Sequence, residues 1–337
     1  MKKIAINGFG RIGRLAFRQL FLDKNIDVVA INDLTSAKTL AYLLEYDSAH
    51  GTFMKGKISA KDGAIIVDGK EIKILAEKDA TKLPWGSMGI DLVVECTGFY
   101  ASKEKSQAHL DAGAKKVIIS APATGDLKTI VYGVNHKSLT AADTIVSAAS
   151  CTTNCLSPMA KVIDEKFGIV KGLMTTVHSV TNDQRLLDLP HDDLRRGRAA
   201  AWNILPTKTG AAAAVGKVLP NLNGKLDGLA LRVPTITGSI VDLTVELSKN
   251  ATVEELNKSI EDAVKQDKEL GEAMEYCTDP IVSADVISST YGSIFDATLT
   301  RVMEVDGKQM IKLFSWYDNE NSFTSQFIRT IRHMLSL

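Results

Sequence analysis

A glycine triplet near the start of the chain restricts the possible folds more than any other feature. An apolar run over residues 3–7 ends in Gly8-Phe9-Gly10-Arg11-Ile12-Gly13, and helix-forming residues follow to Leu22. Set between a strand and a helix, G-x-G-x-x-G gives each glycine a task. Gly8 permits a tight turn, Gly10 lets backbone approach a pyrophosphate, and Gly13 lets helix pack closely on strand. The helix start then offers unpaired N–H groups to phosphate. An acidic residue is expected about 20 residues further on, and Asp33 stands at that spacing from Gly13, after the apolar run 28–32. Its carboxylate would accept from both ribose hydroxyls and repel a 2′-phosphate, which predicts NAD rather than NADP. The plainer alternative is a turn that only joins strand to helix, with Asp33 as a solvated cap. Strand, turn, helix and acid in register favour the dinucleotide site.

Further apolar runs at 92–96, 117–119 and 144–146 alternate with helical stretches, one of them at 103–112 and stopped by Gly113. Residues 64–67 and 72–75 flank Asp68-Gly69 as a hairpin, because Asp-Gly favours a tight turn. This alternation predicts a mostly parallel sheet covered by helices. After residue 150 the pattern changes. A helix at 153–167 is followed by β-rich segments at 169–177, 226–233, 240–247 and 302–315, with helices near 210–218, 253–268 and 324–335. The expected class is α/β. A Rossmann-type dinucleotide-binding domain would cover 1–150, completed by a C-terminal helix within 319–337. An α+β catalytic domain with a mixed, largely antiparallel sheet would cover 151–318. The charged, poorly periodic stretch 181–201 reads as a long loop, and ordered loops of that length tend to be functional.

Composition excludes little but orders the partners. The 337 residues suffice for two domains. Lys+Arg and Asp+Glu both number 40, so neither nucleic acid nor an anionic membrane is called for. No apolar run reaches the roughly 18 residues of a membrane span, and the first residues read as a strand rather than a secretory signal. Four cysteines in a chain this long fit free thiols in a reducing cytoplasm better than a disulfide scaffold.

Among those thiols Cys151 stands out. Ser150-Cys151-Thr152-Thr153-Asn154-Cys155 follows an apolar run and the small residues Ser147-Ala148-Ala149, and precedes a helix. Partial positive charge at a helix start favours a thiolate, and backbone N–H groups there could hold an oxyanion. His178, at the end of the run 174–177, is the best-placed base among six histidines. Inert core packing is the alternative for each residue. Cys155, one turn on, is expected to be such a core thiol, and no Cys/His cluster has zinc spacing, so no metal is expected.

The ordered motifs NGFGRIGR (7–14), SCTTNCL (150–156), TVHS (176–179), DLP (188–190), RRGRA (195–199), LALRVP (229–234) and WYDNE (316–320) resemble, over essentially the whole chain, the phosphorylating glyceraldehyde-3-phosphate dehydrogenases of glycolysis. The resemblance implies that Cys151 attacks the aldehyde carbon of glyceraldehyde 3-phosphate to give a thiohemiacetal. His178 would act as base while hydride passes to NAD, and inorganic phosphate would attack the resulting thioester to give 1,3-bisphosphoglycerate. It implies Thr181 and Arg232 as ligands of the substrate phosphate, and Ser150, Thr152, Thr209 and Gly210 as the inorganic-phosphate site. For the cofactor it implies Arg11 and Ile12 with Gly8, Gly10 and Gly13 at the pyrophosphate, Asp33 at the adenosine ribose, Thr97 and Ser120 lining the site, and Asn319 at the nicotinamide carboxamide with Tyr317 nearby. It also implies a homotetramer, with 181–201 as a loop near a neighbouring subunit's cofactor and Leu189 and Pro190 accompanying NAD preference. Arg195, Arg196 and Arg198 read as a salt-bridged or solvated run rather than an anion patch. Two departures concern local packing: Asn321-Ser322-Phe323 replaces the Trp-Gly-Tyr of many relatives, and Val180 stands where many carry an aromatic residue. An erythrose-4-phosphate dehydrogenase and a non-catalytic binding protein on the same fold are the competing readings.

Overall fold

In the computed structural model, which describes residues 1–337, contacts divide the chain into two units. One contains residues 1–130, 136–149 and 327–337, the other residues 131–135 and 150–326. Ser150 falls with the second unit, and the last helix, Asn321–Ser336, begins in the second and ends in the first.

The first unit is built on a nine-stranded sheet. Its middle strand, Lys2–Asn7, pairs in parallel with Ile26–Asn32 on one side and Leu92–Glu95 on the other. Lys116–Ile119, Ile145–Ser147 and Lys128–Thr129 extend the parallel part. Beyond Ile26–Asn32 come Lys70–Leu75, parallel to it, then Ala64–Val67 and Ile58–Lys61 in an antiparallel edge. Leu92–Glu95 is buried along its whole length, as parallel strands covered on both faces require. Asn7 pairs in register with Asn32 and Glu95, so three polar residues end the three central strands together. Ligands of open parallel sheets bind at such carboxyl ends.

Several elements of this unit lie outside the sequence expectation, strand Lys128–Thr129 and helix Trp85–Met88 among them. Helix Ala37–Glu45 is capped by Ser36, whose hydroxyl accepts from the Thr39 N–H, and Ile58–Lys61 is a largely exposed edge strand. Leu40, Ala41 and Leu44 form the buried face of helix Ala37–Glu45, whereas Ile58–Lys61 buries almost nothing.

The second unit holds an eight-stranded mixed sheet. Its main path runs Leu205–Lys208, Leu226–Arg232, Ile169–His178, Ser239–Leu247, Lys308–Tyr317, Ser293–Asp296, Met274–Cys277. Ile169–His178 pairs in parallel with Leu226–Arg232, and Met274–Cys277 with Ser293–Asp296; the other pairings are antiparallel. The segment 302–315, expected as one strand, is a hairpin of Arg301–Val305 and Lys308–Tyr317. Asp306 and Gly307 turn it with φ of 51° and 74°, the same device that Asp68-Gly69 supplies in the first unit. Helix Cys151–Phe167 packs its buried face, including Cys155, Leu156, Met159 and Ile163, into the core that this sheet shares with Leu243, Leu313 and Tyr317.

Gly13 is needed for packing. A Cβ there would lie 2.1 Å from the Gly8 carbonyl oxygen, so helix Arg11–Leu20 can sit this close to the turn only without a side chain. Gly13→Ala is expected to lower stability by roughly 1–3 kcal/mol or more, read as a lower urea midpoint in the absence of cofactor; an unchanged midpoint would refute the packing role.

Candidate active site

Cys151 is the first residue of its helix, and Ser150 is the N-cap. The chain reaches it through Ala149, whose φ of 62° is left-handed, a conformation costing a non-glycine residue about 1–2 kcal/mol. This bend sets the thiol at the amino end of the helix, where its first N–H groups lie. His178 is the last residue of strand Ile169–His178. Its Nε2 lies 3.4 Å from Cys151 Sγ, so the structure brings the two expected catalytic residues into contact.

The other imidazole nitrogen is held. Nδ1 lies 2.7 Å from the Ser179 carbonyl oxygen, and Arg232 Nη1 also approaches both Nδ1 and that carbonyl, at 3.1 Å from the latter. Nδ1 cannot donate to the carbonyl and accept from the guanidinium together. The carbonyl can only accept, and it gives Arg232 an acceptor as well, so Nδ1 carries the proton. Nε2 is then bare and faces the thiol as a base.

Burial pushes the Cys151 thiol up, against the pull of the Arg232 guanidinium and of bonds from Thr152. Burial, and then the Arg232 charge, push the His178 imidazole down to about 3. Burial thus opposes charge on both partners, while Arg232 and the helix start favour negative charge on sulfur. Cys155, fully buried against Ser293 and Ser315, has its thiol pushed up to about 12 and is inert.

Tyr317 sits in the core. It is wholly buried, its hydroxyl lies 2.8 Å from both Thr152 Oγ1 and Thr176 Oγ1, and its ring meets His178 edge-on at 5.9 Å. The Thr152 hydroxyl is thereby engaged in the core. The Ser150 hydroxyl is likewise a cap, accepting from the Thr153 N–H at 3.1 Å.

Cations and helix starts gather beside the pair. Arg232 Nε is buried with no hydrogen-bond partner, a donor suited to an anion. Gly210 caps helix Ala211–Val218, and Thr209 Oγ1 accepts from the Ala211 N–H at 3.2 Å. The two helix starts are joined where Thr153 Oγ1 donates to the Ala211 carbonyl. Thr181 donates to Asp183, which also pairs with Arg196. Asp183 and Arg196 act electrostatically on Arg232, and Arg196 on His178, so both belong to the site. Sequence reasoning missed Asp183 and read Arg195, Arg196 and Arg198 together as a salt-bridged or solvated run; Arg196 is salt-bridged to Asp183, and spacing cannot choose among the three arginines.

Asn319 is 7% exposed, and its amide oxygen accepts from the Gly238 N–H at 3.2 Å and Ser239 Oγ at 3.1 Å, with Thr237 Oγ1, whose proton is directed at Asp318, 3.2 Å away. Its amide N–H groups therefore point the other way, as donors for a carbonyl such as that of nicotinamide.

In the first unit the glycine turn fits a dinucleotide. Gly10 has φ −70° and a Cβ there would meet nothing within 4 Å, so neither strain nor protein packing explains this glycine. Close approach of a ligand does. Asp33 Oδ2 accepts from the Phe9 N–H at 2.8 Å and Oδ1 from the Thr35 N–H, which steadies the turn and leaves lone pairs for ribose hydroxyls. Gly8 rests against the backbone of Cys96 and Thr97. Buried Glu95 lies beneath them, accepting from Asn7 Nδ2 and the Thr97 N–H at 2.6 Å. His109, which accepts from Trp85 Nε1–H, donates to Glu95 through Nε2. Ser120 bonds the Cys96 thiol. The Arg11 guanidinium is paired with Asp47, whose carboxyl is held down at about 2. Its side chain is thus paired with a carboxylate, which leaves the turn's backbone, including that of Arg11 and Ile12, as the candidate for a pyrophosphate. Glu95, His109 and Asp47 were not foreseen, because each is an isolated polar residue until the sheet register assembles them.

No helix is long and apolar enough to cross a membrane, and no group of three His, Cys, Asp or Glu side chains is placed to hold a metal ion.

Comparison with known families places residues 2–103 in the glyceraldehyde 3-phosphate dehydrogenase NAD binding domain and residues 150–319 in the C-terminal domain of the same family. The chain is 57% identical to glyceraldehyde-3-phosphate dehydrogenases of Clostridium pasteurianum and Clostridium acetobutylicum, over 100% of this chain and 99% of each relative. It is 51% identical to that of Streptococcus pyogenes, over 99% of this chain and 98% of the relative.

Two outcomes test this geometry. Tyr317→Phe leaves two buried hydroxyls without their shared partner, which should remove about 1–3 kcal/mol and slow alkylation of Cys151 severalfold. Stability loss at an unchanged alkylation rate would mean that the bridge does not position the thiol. Between pH 6.5 and about 3 the unfolded chain takes a proton at His178 that the folded chain refuses, so this group makes stability fall as pH falls. His178→Gln should flatten the acid limb of stability against pH by up to about 1.4 kcal/mol per pH unit; parallel limbs would show that the imidazole is not held neutral.

Proposed function

The chain belongs to the glyceraldehyde 3-phosphate dehydrogenase family, and on that premise we propose that it oxidises D-glyceraldehyde 3-phosphate with NAD and inorganic phosphate to 1,3-bisphosphoglycerate. The observation that carries this reading is the 3.4 Å contact between Cys151 Sγ and a neutral, singly oriented His178 Nε2 beside the Arg232 guanidinium.

Cys151 Sγ forms a bond to the aldehyde carbon, and its proton passes to His178 Nε2. The N–H groups at the start of helix Cys151–Phe167 lie beside the developing oxyanion. NAD, when bound, supplies a hydride acceptor. His178 returns the thiol proton to the oxyanion, giving the thiohemiacetal hydroxyl, and takes it back as the carbon loses hydride, which leaves a thioester on Cys151. Phosphate oxygen then bonds to the acyl carbon, the carbon–sulfur bond breaks, and the thiolate is regenerated. Arg232, Thr181, Arg196 and the Thr209–Gly210 helix start suit the two phosphate groups. Asp183 neutralises these cations until an anion arrives. In the first unit, Gly8, Gly10, Gly13 and Asp33 suit the adenosine ribose and pyrophosphate, with Thr97 and Ser120 beside the turn. In the second, Asn319 suits the carboxamide.

A homotetramer in the cytoplasm is the working form we infer. The loop after His178 exposes Leu186, Leu187, Leu189, Leu194 and Trp202, a density of apolar side chains that a partner surface would cover.

NADH formation on glyceraldehyde 3-phosphate should require inorganic phosphate. Cys151→Ser should lower turnover by about 10³-fold or more, and His178→Asn by about 10²–10⁴-fold. Wild-type turnover without phosphate, or full activity after Cys151 replacement, would refute the mechanism.

A further inference from the structure

Asn319 would be of little use if its amide could rotate, because oxygen and nitrogen offer opposite hydrogen-bond polarity. The residues that fix it lie around Asp318. That carboxylate is wholly buried and accepts several hydrogen bonds. Oδ1 accepts from Thr237 Oγ1 at 2.7 Å and from the Glu320 and Asn321 N–H groups at 2.8 and 3.0 Å; Oδ2 accepts from the Ser288 N–H at 2.7 Å. The Asp318 N–H donates to Ser322 Oγ at 3.0 Å. Asn321 Nδ2 reaches across to the Ser288 and Ser289 carbonyls at 2.9 and 3.1 Å, and Ser288 itself is left-handed, with φ 65°. The same loop packs Ser283 against Gly238, whose φ is 92° and where a Cβ would fall 2.3 Å from the Ser283 carbonyl oxygen. Gly238 and Ser239 are the donors to the Asn319 oxygen.

Two segments thus close on Asn319: 237–239, which saturates its oxygen, and 318–322, which carries it. Loop 283–289 ties both. We propose that Asp318, Asn321 and Ser322 are positioning residues that fix the Asn319 amide with its N–H groups toward the ligand. The Asn321-Ser322 departure from the family pattern then marks this chain's own way of building the clasp. The proposal rests on the reading of Asn319 as partner of the nicotinamide carboxamide.

Binding by the full-length chain tests it without turnover. The probes are NAD and ADP-ribose, which lacks the nicotinamide. Asn321→Ala, at a half-buried position, should weaken NAD about five- to tenfold and leave ADP-ribose within twofold. KM for NAD should rise, with KM for the aldehyde unchanged. Ser322→Ala should act in the same direction and stands in for Asp318→Asn if that variant does not fold. In an Asn319→Ala background, Asn321→Ala should add less than twofold. Equal loss of NAD and ADP-ribose, or a full additional loss in the Asn319→Ala background, would overturn the clasp and leave only a structural role. If Asn319→Ala itself leaves the ratio of NAD to ADP-ribose affinity unchanged, Asn319 does not meet the nicotinamide, and both the reading and the clasp fall.

Discussion

One buried phenol holds the reactive pair together. The Tyr317 hydroxyl ties Thr152, on the first turn of the cysteine helix, to Thr176, two residues before His178. Residues two apart on a strand share a face, so the hydroxyl that anchors Thr176 also fixes where the imidazole emerges. Burial pushes the phenol well above its ordinary range, so it stays a neutral donor and acceptor. Helix and strand adjoin in the chain, whereas Tyr317 lies 165 residues from Thr152 and 141 from Thr176, so the contact fixes both against a distant strand.

Around that contact the protein sets desolvation against cations. Burial favours the neutral forms of Cys151 and His178, while Arg232 stabilises negative charge on sulfur and opposes positive charge on the ring. Ser179 links this centre to the amide beyond it. Its N–H donates to Ser239 Oγ, which donates in turn to the Asn319 oxygen. The orientation of the base and that of the carboxamide donor therefore share one short chain of hydrogen bonds.

Much of this was legible in the sequence where a local rule acts alone. The glycine turn, Asp33, the position of Cys151 at a helix start and of His178 at a strand end follow from spacing and periodicity. Side-chain commitments were not legible. Tyr317 and Thr152 were expected at ligand sites, and the contact between their hydroxyls was not foreseen, because it depends on how helix Cys151–Phe167 packs on strand Lys308–Tyr317. Arg11 was expected at the pyrophosphate and is held by Asp47, a partner supplied by a loop with no distinguishing pattern. The hairpin at Asp306-Gly307 was missed although its signal was present, since apolar residues on both sides read as one continuous strand.

Gly10 and Gly13 look alike in the motif, yet they are sensitive to different things. Gly13 is required by the folded chain itself, whatever is bound. Gly10 faces open space, so its lack of a side chain matters only when something approaches from outside. Damage at Gly13 reduces how much protein survives, whereas damage at Gly10 leaves the protein abundant and intact but a poor host for its cofactor. A single short motif thus records two separate selections, one for the existence of the molecule and one for its occupancy.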